Sequence, residues 1–254
     1  MQNLILRWTL GPVSANGRKI LKESIYRAHR IWNADARYVV CYNGCRPPQL
    51  PDYVEIYKQS WNEQPIHEHD ATAMMWKWAP PRLDPTAHEI FLDNDVIIFK
   101  DSPIINDALR NNKLVIDGGW RRCYGSYDPI IDNKYKTCAG FVILPPNYDI
   151  GAKISDLRSK TLNFRFNHPW DEQGLITKIL LDDSAEVLPS DIIPNLPIDK
   201  RMLEKFGVYD FEFADNHVGY HFVGANSSEY HYYLNEYWKF KSSIDHIQQA
   251  SADH

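Results

Sequence analysis

The chain has 254 residues, of which 44% are hydrophobic and 24% are charged, which suits one large α/β domain or two small ones. A formal net charge of -5 argues against a nucleic-acid-binding protein, because binding to the phosphate backbone needs a basic excess. No apolar run reaches bilayer length, and the start MQNLILRWTL lacks the features of a signal peptide. We therefore expect a cytoplasmic protein without a transmembrane segment, peripheral to a membrane at most.

The first half of the chain alternates between strand and helix patterns. Short β-branched and aromatic runs predict strands, and apolar residues at helical spacing predict helices. The predicted elements are a strand at Asn3–Thr9, a helix at Lys19–Asn33, strands at Tyr38–Tyr42 and Tyr53–Tyr57, a helix from Asp70 to Ala79, and apolar strands at Glu89–Leu92 and Val96–Phe99.

The second half continues the alternation, and no flexible linker or internal repeat interrupts it. The predicted elements are strands at Lys113–Asp117 and Phe141–Leu144, a helix from Asp171 to Leu181, a strand at Tyr220–Val223 and a C-terminal helix from Asn235 with a polar end. Strands that alternate with helices predict a mostly parallel sheet covered on both faces.

The four cysteines, Cys41, Cys45, Cys123 and Cys138, do not have the paired spacings of a structural zinc site. We therefore expect free thiols in a reducing compartment.

The segment Asp93-Asn94-Asp95 carries the most information about chemistry. An apolar strand leads directly into two carboxylates at i and i+2, which share one face in extended backbone. Ligand sites of open α/β sheets collect beyond the carboxyl ends of the strands. Two like charges this close repel, so a bound Mg²⁺ or Mn²⁺ that bridges a diphosphate is the natural compensation. The simpler alternative is a tight turn between two strands.

The segment FLDNDVIIF resembles the Asp-x-Asp motif of glycosyltransferases with the GT-A fold. Three further segments resemble elements of that family in the expected order: Thr137–Leu144 a strand beside the acceptor site, Trp170–Leu175 the acidic helix start at the catalytic centre, and His221–Gly224 the late His-x-x-Gly element of glycogenin-like and galactosyltransferase-like members. The resemblance covers residues 1 to about 233.

The resemblance implies a three-layer α/β/α GT-A (Rossmann-like) fold with a mostly parallel, mixed central sheet. It implies one domain at residues 1–233, with a nucleotide-binding half at about 1–100 and an acceptor half at 101–233, before a C-terminal helix and tail at 234–254. The implied reaction moves a hexose from a nucleotide diphosphate sugar, UDP-linked, to a hydroxyl of a glycan or another acceptor. The implied cofactor is Mn²⁺ or Mg²⁺.

The same resemblance assigns roles to individual residues. Asp171 is expected to be the catalytic or acceptor-contacting carboxylate with Glu172 as its substitute, although helix capping explains both acids too. By position, the resemblance places Asp93, Asp95 and His221 at the metal, Trp8, Thr9, Lys77 and Asn94 at the donor, and Gly140 and Trp170 at the acceptor.

Three alternatives stay open at this point. Asp93 and Asp95 also fit a haloacid-dehalogenase-like phosphatase, with Asp182-Asp183 as its later acidic pair. A non-catalytic module that only binds a sugar nucleotide is the second alternative, and a metal site at residues 67–70 is the third. One departure from the family follows Gly224, where Ala225–Ser228 replaces a Lys-Pro that often contacts the phosphates.

Overall fold

The computed structural model describes residues 3–44, 47–66, 72–164, 166, 168–205, 207, 211–214 and 216–241. The strands are β1 (Leu4–Leu10), β2 (Ala36–Tyr42), β3 (Val54–Lys58), β4 (His88–Leu92), β5 (Val96–Ile98), β6 (Val115–Gly118), β7 (Thr137–Leu144), β8 (Glu186–Val187), β9 (Asn195–Leu196) and β10 (Gly219–Phe222).

The helices are α1 (Ala15–Trp32), α2 (Thr72–Met75), α3 (Pro103–Arg110), α4 (Ile150–Lys160), α5 (Pro169–Asp182), α6 (Lys200–Glu204) and α7 at residues 232–241. The helix predicted from Asp70 is broken: its described part is α2 followed by a 3₁₀ turn at Trp76–Trp78, and Asp70 itself lies outside the described residues. Helices α3 and α4 were not predicted. None of the helices in the described ranges is long and apolar enough to cross a membrane.

Seven strands form the central sheet, in the order β3-β2-β1-β4-β7-β6-β8. The four strands β3, β2, β1 and β4 are parallel, whereas β7 runs antiparallel to both β4 and β6. This arrangement confirms the predicted mixed, mostly parallel sheet. Because the parallel strands end at one edge, the residues that follow them meet there.

Alternation along β1 divides the core into two layers. Leu4, Leu6, Trp8 and Leu10 share one face and pack in a cluster that includes Leu21 and Ile25 of α1. A second cluster joins Phe91 of β4 to apolar residues of α4 and α5, among them Ile154, Leu175 and Ile176. The sheet is thus covered on both faces, which confirms the predicted three-layer architecture.

A second sheet of three strands, in the order β5-β10-β9, lies beside the first. Strand β4 belongs to the large sheet and β5 to the small one, so the chain crosses between the sheets at residues 93–95. Tyr220 and Phe222 of β10 pack with Tyr237 of α7 in a third apolar cluster. The acidic turn is therefore a crossing between two sheets and not a hairpin.

An ion network is buried below the carboxyl edge of the large sheet. Glu89 on β4 is fully buried and accepts hydrogen bonds from Arg82 Nε at 3.0 Å and from the backbone of Leu83 at 2.8 Å, and its Oε2 lies 3.4 Å from Arg7 NH1. Arg7 also donates to the carbonyl of Lys77 at 3.2 Å. The network therefore fixes the segment that precedes β4.

Replacement of Glu89 by leucine should lower the free energy of unfolding by about 3–5 kcal/mol, because two buried guanidinium groups lose their counter-charge. Urea unfolding followed by circular dichroism measures the change. The control is Glu55→Ala, which removes the exposed Arg37–Glu55 pair and should cost less than about 1 kcal/mol. Equal losses in the two variants would show that the buried network contributes no more to the free energy of unfolding than an exposed ion pair does.

Candidate active site

A cavity of about 690 Å³ opens at the carboxyl ends of β1, β2 and β4. Its size suits a small-molecule ligand, and its position is where open α/β sheets bind theirs. Residues from both sheets line it, including Thr9, Gly11, Asn43, Lys77, Asp93, Asn94, Asp95, Trp120, Arg121, Cys138, Trp170, Glu172, Gln173, Asn195, His221 and Asn226.

The acidic turn forms the floor of this cavity. The backbone N–H of Asp93 donates to the carbonyl of Gly140 on β7, and the N–H of Phe222 on β10 donates to the carbonyl of Asp95. Each end of the turn is therefore tied to a different sheet. The Asp93 side chain is 34% exposed, while that of Asp95 is 5% exposed.

His221 completes a cluster with the two aspartates. Its Nε2 lies 3.4 Å from Asp95 Oδ1 and 3.8 Å from Asp93 Oδ2. Burial acts to lower the pKa of His221, but the Cys138 thiol and the Asp95 carboxylate outweigh it and raise this pKa well above its usual value. Positive charge on the imidazole is thus stabilised by the carboxylates it faces.

The residues of this cluster fit a divalent cation. One ligand atom from each of Asp93, Asp95 and His221 lies within 4.8 Å of the others. A mixed set of carboxylate oxygens and an imidazole nitrogen suits Mn²⁺, and carboxylates alone suit Mg²⁺. The negative charge that raises the pKa of His221 would equally attract a metal ion.

Lys77 lies on the 3₁₀ turn before β4 and not on a regular helix. Its ammonium group is 2.7 Å from Asp93 Oδ1 and also donates to the carbonyl of Ala139. Burial acts to lower the pKa of Lys77, but the Asp93 and Glu172 carboxylates raise it above its usual value. Lys77 therefore remains charged and leaves Asp93 Oδ2 to face His221.

Glu172 on α5 lines the cavity, and its side chain is buried. Its Oε1 accepts a hydrogen bond of 2.5 Å from Trp78 Nε1. Burial raises the pKa of Glu172 to about 7, against the opposing effects of Lys77 and Trp78. A carboxyl group with this pKa can take up or release a proton near neutral pH.

Asp171 is not among the residues that line the cavity in the described part of the chain, contrary to the expectation that it contacts the acceptor. Helix α5 starts at Pro169, two residues earlier than predicted, so Asp171 occupies the third position of the helix. Its carboxylate accepts from the backbone N–H groups of Ser126 and His168, both at 2.6 Å. Asp171 caps the helix and ties it to the 3₁₀ segment at residues 125–130.

Replacement of Asp171 by alanine should lower the free energy of unfolding by about 2–4 kcal/mol, because two backbone donors lose their acceptor. Chemical unfolding measures this loss. Asp149→Ala, which removes the exposed cap of α4, is the control and should cost about 1 kcal/mol. An Asp171→Ala variant as stable as the parent would contradict the capping role.

Two other expected contacts also differ from the structure. Trp8 is fully buried, donates from Nε1 to Ser24 Oγ at 2.9 Å and packs against α1, so its side chain cannot reach a donor. Gly140 lies under the His221 ring, where a Cβ atom would come within 2.5 Å of Nδ1. Gly140 thus makes room for the histidine and is not among the cavity-lining residues described.

The remaining expected contacts do line the cavity. Thr9 and Asn94 are at the floor, and Asn94 Oδ1 is buried without a hydrogen-bond partner among the described residues. Trp170 is 41% exposed, and the Arg121 guanidinium lies 5.2 Å from the centre of its ring. An aromatic face and an adjacent cation are therefore available at the mouth of the cavity.

A second cluster, formed by Asp117, Cys138 and His221, was not predicted from the sequence. Asp117 is 1% exposed, and burial raises its pKa well above its usual value. Its position at the end of a buried strand is the same signal that identified the acidic turn. A role for Cys138 was not predicted, because the family resemblance of its strand rested on the small residues around it.

Apart from Asp93 and Asp95, the residues named in the alternative interpretations do not line the cavity or lie outside the described ranges. Asp182 pairs with Lys178 at 2.5 Å, and Asp183 ends α5 and accepts a hydrogen bond from Tyr148. Neither acid is among the residues that line the cavity with Asp93. Residues 67–70 lie outside the described part of the chain.

The cysteines Cys41, Cys123 and Cys138 are free thiols, as predicted, and Cys45 lies outside the described residues.

The architecture is that of glycosyltransferases with the GT-A fold, as predicted. The galactosyltransferase LgtC, solved with donor and acceptor sugar analogues, is 15% identical with a TM-score of 0.53, and the match covers 87% of each chain. The glycosyltransferase GlyE of Streptococcus pneumoniae TIGR4 is 14% identical with a TM-score of 0.54, over 88% of this chain and 55% of GlyE. Mouse xyloside xylosyltransferase 1 is 11% identical with a TM-score of 0.50, over 87% and 97% of the two chains.

No protein-family model and no curated protein sequence matches this chain. At identities of 11–15%, the structural likeness establishes the fold alone.

Proposed function

We propose that the chain is a metal-dependent glycosyltransferase that moves a hexose from a nucleotide diphosphate sugar, UDP-linked, to an acceptor hydroxyl. The observation that carries the proposal is the convergence of Asp93, Asp95 and His221 on the floor of the cavity, with Glu172 also lining it. The fold of known glycosyltransferases supports the same reaction class.

Asp93, Asp95 and His221 would hold Mn²⁺ or Mg²⁺. When bound, such an ion supplies electrostatic stabilisation of the charge that develops on a leaving diphosphate. Lys77 fixes the orientation of the Asp93 carboxylate through the 2.7 Å ion pair. His221 and Asp95 are buried, so water competes weakly for their ligand atoms.

The donor would lie between the acidic turn and the end of β1. Thr9 and Asn43 line this part of the cavity, and Asn94 Oδ1 offers an unsatisfied acceptor to a ribose hydroxyl. The segment Ala225–Ser228 contains no lysine or arginine. We therefore propose that a cation held at the acidic turn, and not this segment, balances most of the diphosphate charge, which makes the reaction dependent on the cation.

Glu172 would face the reacting carbon or the acceptor hydroxyl. A carboxylate there can accept the acceptor proton in an inverting reaction or stabilise an oxocarbenium-like state in a retaining one. Trp78 Nε1 fixes its orientation. Both uses need the ionised form. Glu172 and not Asp171 is the proposed catalytic carboxylate, because Glu172 lines the cavity and Asp171 does not. Trp170 would stack against an acceptor sugar at the cavity mouth.

Replacement of Asp95 by alanine should reduce Mn²⁺-dependent release of UDP from a UDP-hexose by at least about 100-fold, because the cation loses a buried ligand. Asp182→Ala, an exposed acid on α5, is the control and should retain activity. Full activity of Asp95→Ala in the presence of a chelator would overturn the proposal.

A thermal-shift panel of nucleotide sugars, each with and without Mn²⁺, identifies the donor. A ligand that binds the folded chain raises its melting temperature by mass action, and the correct donor should do so only with Mn²⁺ present. The Asp95→Ala variant should lose this shift. A shift of the same size without the cation would contradict a metal-mediated diphosphate site.

Replacement of Glu172 by glutamine should lower kcat by about 10²–10⁴-fold, since the amide neither accepts a proton nor carries charge. In the parent protein, kcat should rise with pH up to about 7, where the carboxyl group ionises, and then level off. The residual activity of Glu172→Gln should lack this rise. If the parent and Glu172→Gln showed the same inflection in their pH profiles, the inflection would belong to another titrating group.

The same substitution should stabilise the fold at pH 8. The pKa of Glu172 is raised from 4.5 to about 7, so its contribution to stability is present at low pH and is lost as pH rises through about 7. Glutamine keeps the acceptor for Trp78 and removes the buried charge, which should raise the free energy of unfolding at pH 8 by about 1–3 kcal/mol. Urea unfolding at pH 5 and pH 8 measures the difference, which should fall below about 1 kcal/mol at pH 5.

A further inference from the structure

Two primary amides, Gln173 on α5 and Asn195 on β9, line the cavity from different elements. A primary amide carries two N–H donors on its nitrogen and an acceptor on its oxygen, and the two atoms lie on opposite sides of the group. The partners of the nitrogen therefore show which way the oxygen points. They decide whether each residue presents a donor or an acceptor to a ligand.

The side chain of Gln173 is held by two backbone carbonyls. Its Nε2 donates to the carbonyl of Cys123 at 3.0 Å and to that of Thr137 at 3.3 Å. The reversed amide would turn Oε1 toward these two acceptor oxygens, which would repel it, so the orientation of the group is fixed. Oε1 consequently points away from both carbonyls.

Asn195 is anchored in the same way. Its Nδ2 donates to the carbonyls of Gly118 at 3.1 Å and Ile193 at 3.4 Å, and to Asp117 Oδ2 at 3.2 Å. Carbonyl oxygens can only accept hydrogen bonds, so the nitrogen and not the oxygen must face them. Asn195 Oδ1 is therefore directed to the other side of its amide.

Within the described ranges, neither Gln173 Oε1 nor Asn195 Oδ1 has a hydrogen-bond partner. The two oxygens are also not among the fully buried, unpartnered side-chain atoms of that part of the chain, so both are accessible. Because their residues line the cavity, the cavity is the space that they face. These amides therefore present two acceptors, held in fixed orientations, to a ligand.

The anchoring carbonyls bring the two amides to one place. Gly118, which holds Asn195, and Thr137, which holds Gln173, are paired residues of β6 and β7. Paired residues of antiparallel strands have Cα atoms about 4.5–5.5 Å apart. The two acceptors are thus fixed to opposite members of a single strand pair and can contact one small ligand together.

Each amide also adjoins a residue of the proposed catalytic site. Asn195 is the strand partner of His221, and Gln173 follows Glu172 in α5. At the moment of transfer, the hexose has to lie beside both the cation ligands and the catalytic carboxylate. The amide pair is therefore next to the position that the proposed reaction gives to the transferred sugar.

We propose that Gln173 Oε1 and Asn195 Oδ1 each accept a hydrogen bond from a hydroxyl group of the transferred hexose. The pair selects a sugar with free hydroxyl groups at two positions of the ring. A sugar in which one of these hydroxyls is missing or alkylated is rejected, because an amide oxygen is then left without a donor in a desolvated site. The inference rests on the proposed function and adds the residues that set its sugar specificity.

Monodeoxy analogues of the donor test the proposal on the unmodified chain. The reference donor is whichever of UDP-glucose and UDP-galactose binds more tightly with Mn²⁺ in isothermal titration calorimetry. Loss of a hydroxyl that an amide oxygen contacts should raise the Kd about 10-fold, at two positions of the ring, and loss of any other should change it less than about threefold. If no single deoxygenation weakens binding, the proposal is overturned. This scan needs no substitution, so it decides the question even where a variant fails to fold.

One variant removes each acceptor. Gln173→Met keeps the length of the side chain without its amide, and Asn195→Ala removes the second amide. In each variant the Kd for the UDP-hexose should rise about 10-fold while the Kd for UDP stays within about threefold of the parent, because UDP carries no hexose. Asn111→Ala, which removes an exposed amide at the end of α3, is the control and should change neither Kd.

Each variant should also become insensitive to one hydroxyl. The deoxygenation that no longer weakens binding to Gln173→Met should differ from the one that no longer weakens binding to Asn195→Ala, as in a double-mutant cycle between protein and ligand. A residue that only supports the structure would leave every deoxygenation penalty as it is in the parent, and that result would overturn the assignment.

The results separate this inference from the proposed function. A parent protein that binds neither UDP nor either UDP-hexose in the presence of Mn²⁺ would overturn the proposed function. Mn²⁺-dependent binding by the parent, together with parental Kd values in Gln173→Met and Asn195→Ala, would overturn the amide pair alone. Equal weakening of UDP and UDP-hexose binding in these variants would also overturn it, since the residues would then support the cation site and not the sugar.

Discussion

The repulsion between Asp93 and Asp95 is the constraint on which the rest of the site depends. Two carboxylates on one turn, one of them buried, need positive charge close by. Lys77 supplies a fixed positive charge on one side, and His221 faces both acids on the other side. A divalent ion would complete the compensation, and the cost of burying these acids is the physical argument for the proposed cation site.

Much of the fold could be predicted because its signals are local. Alternating or continuous apolar runs identified the central strands, and the crossing at residues 93–95 was identified by the acids that end one of them. Helices α3 and α4 were missed because they are short, with eight and eleven residues. The broken helix at Trp76–Trp78 could not be predicted, since Arg7 and Gln59, which bind its carbonyls, are distant in sequence.

The structure places some of the predicted site residues in the cavity and others outside it, and the differences have a physical origin. Histidine is a less usual helix cap than aspartate, so the start of α5 was assigned to Asp171 and not to His168. With the helix start at its observed position, Asp171 is a capping acid and Glu172 is the acid that lines the cavity. Trp8 was misplaced because alternation turns it toward α1, while its neighbour Thr9 lines the cavity. Asp117 and Cys138 depend on strand pairing, which a single sequence does not reveal.

The crossing of the chain between two sheets has a thermodynamic consequence. The aspartates lie in the segment that connects the large sheet to the small sheet, and His221 belongs to the small sheet. An ion bound by all three would act as a cross-link between the two sheets. Its affinity is then coupled to their docking, so a substitution that loosens the aromatic packing under β10 enough to populate the undocked state weakens ion binding without changing any ligand.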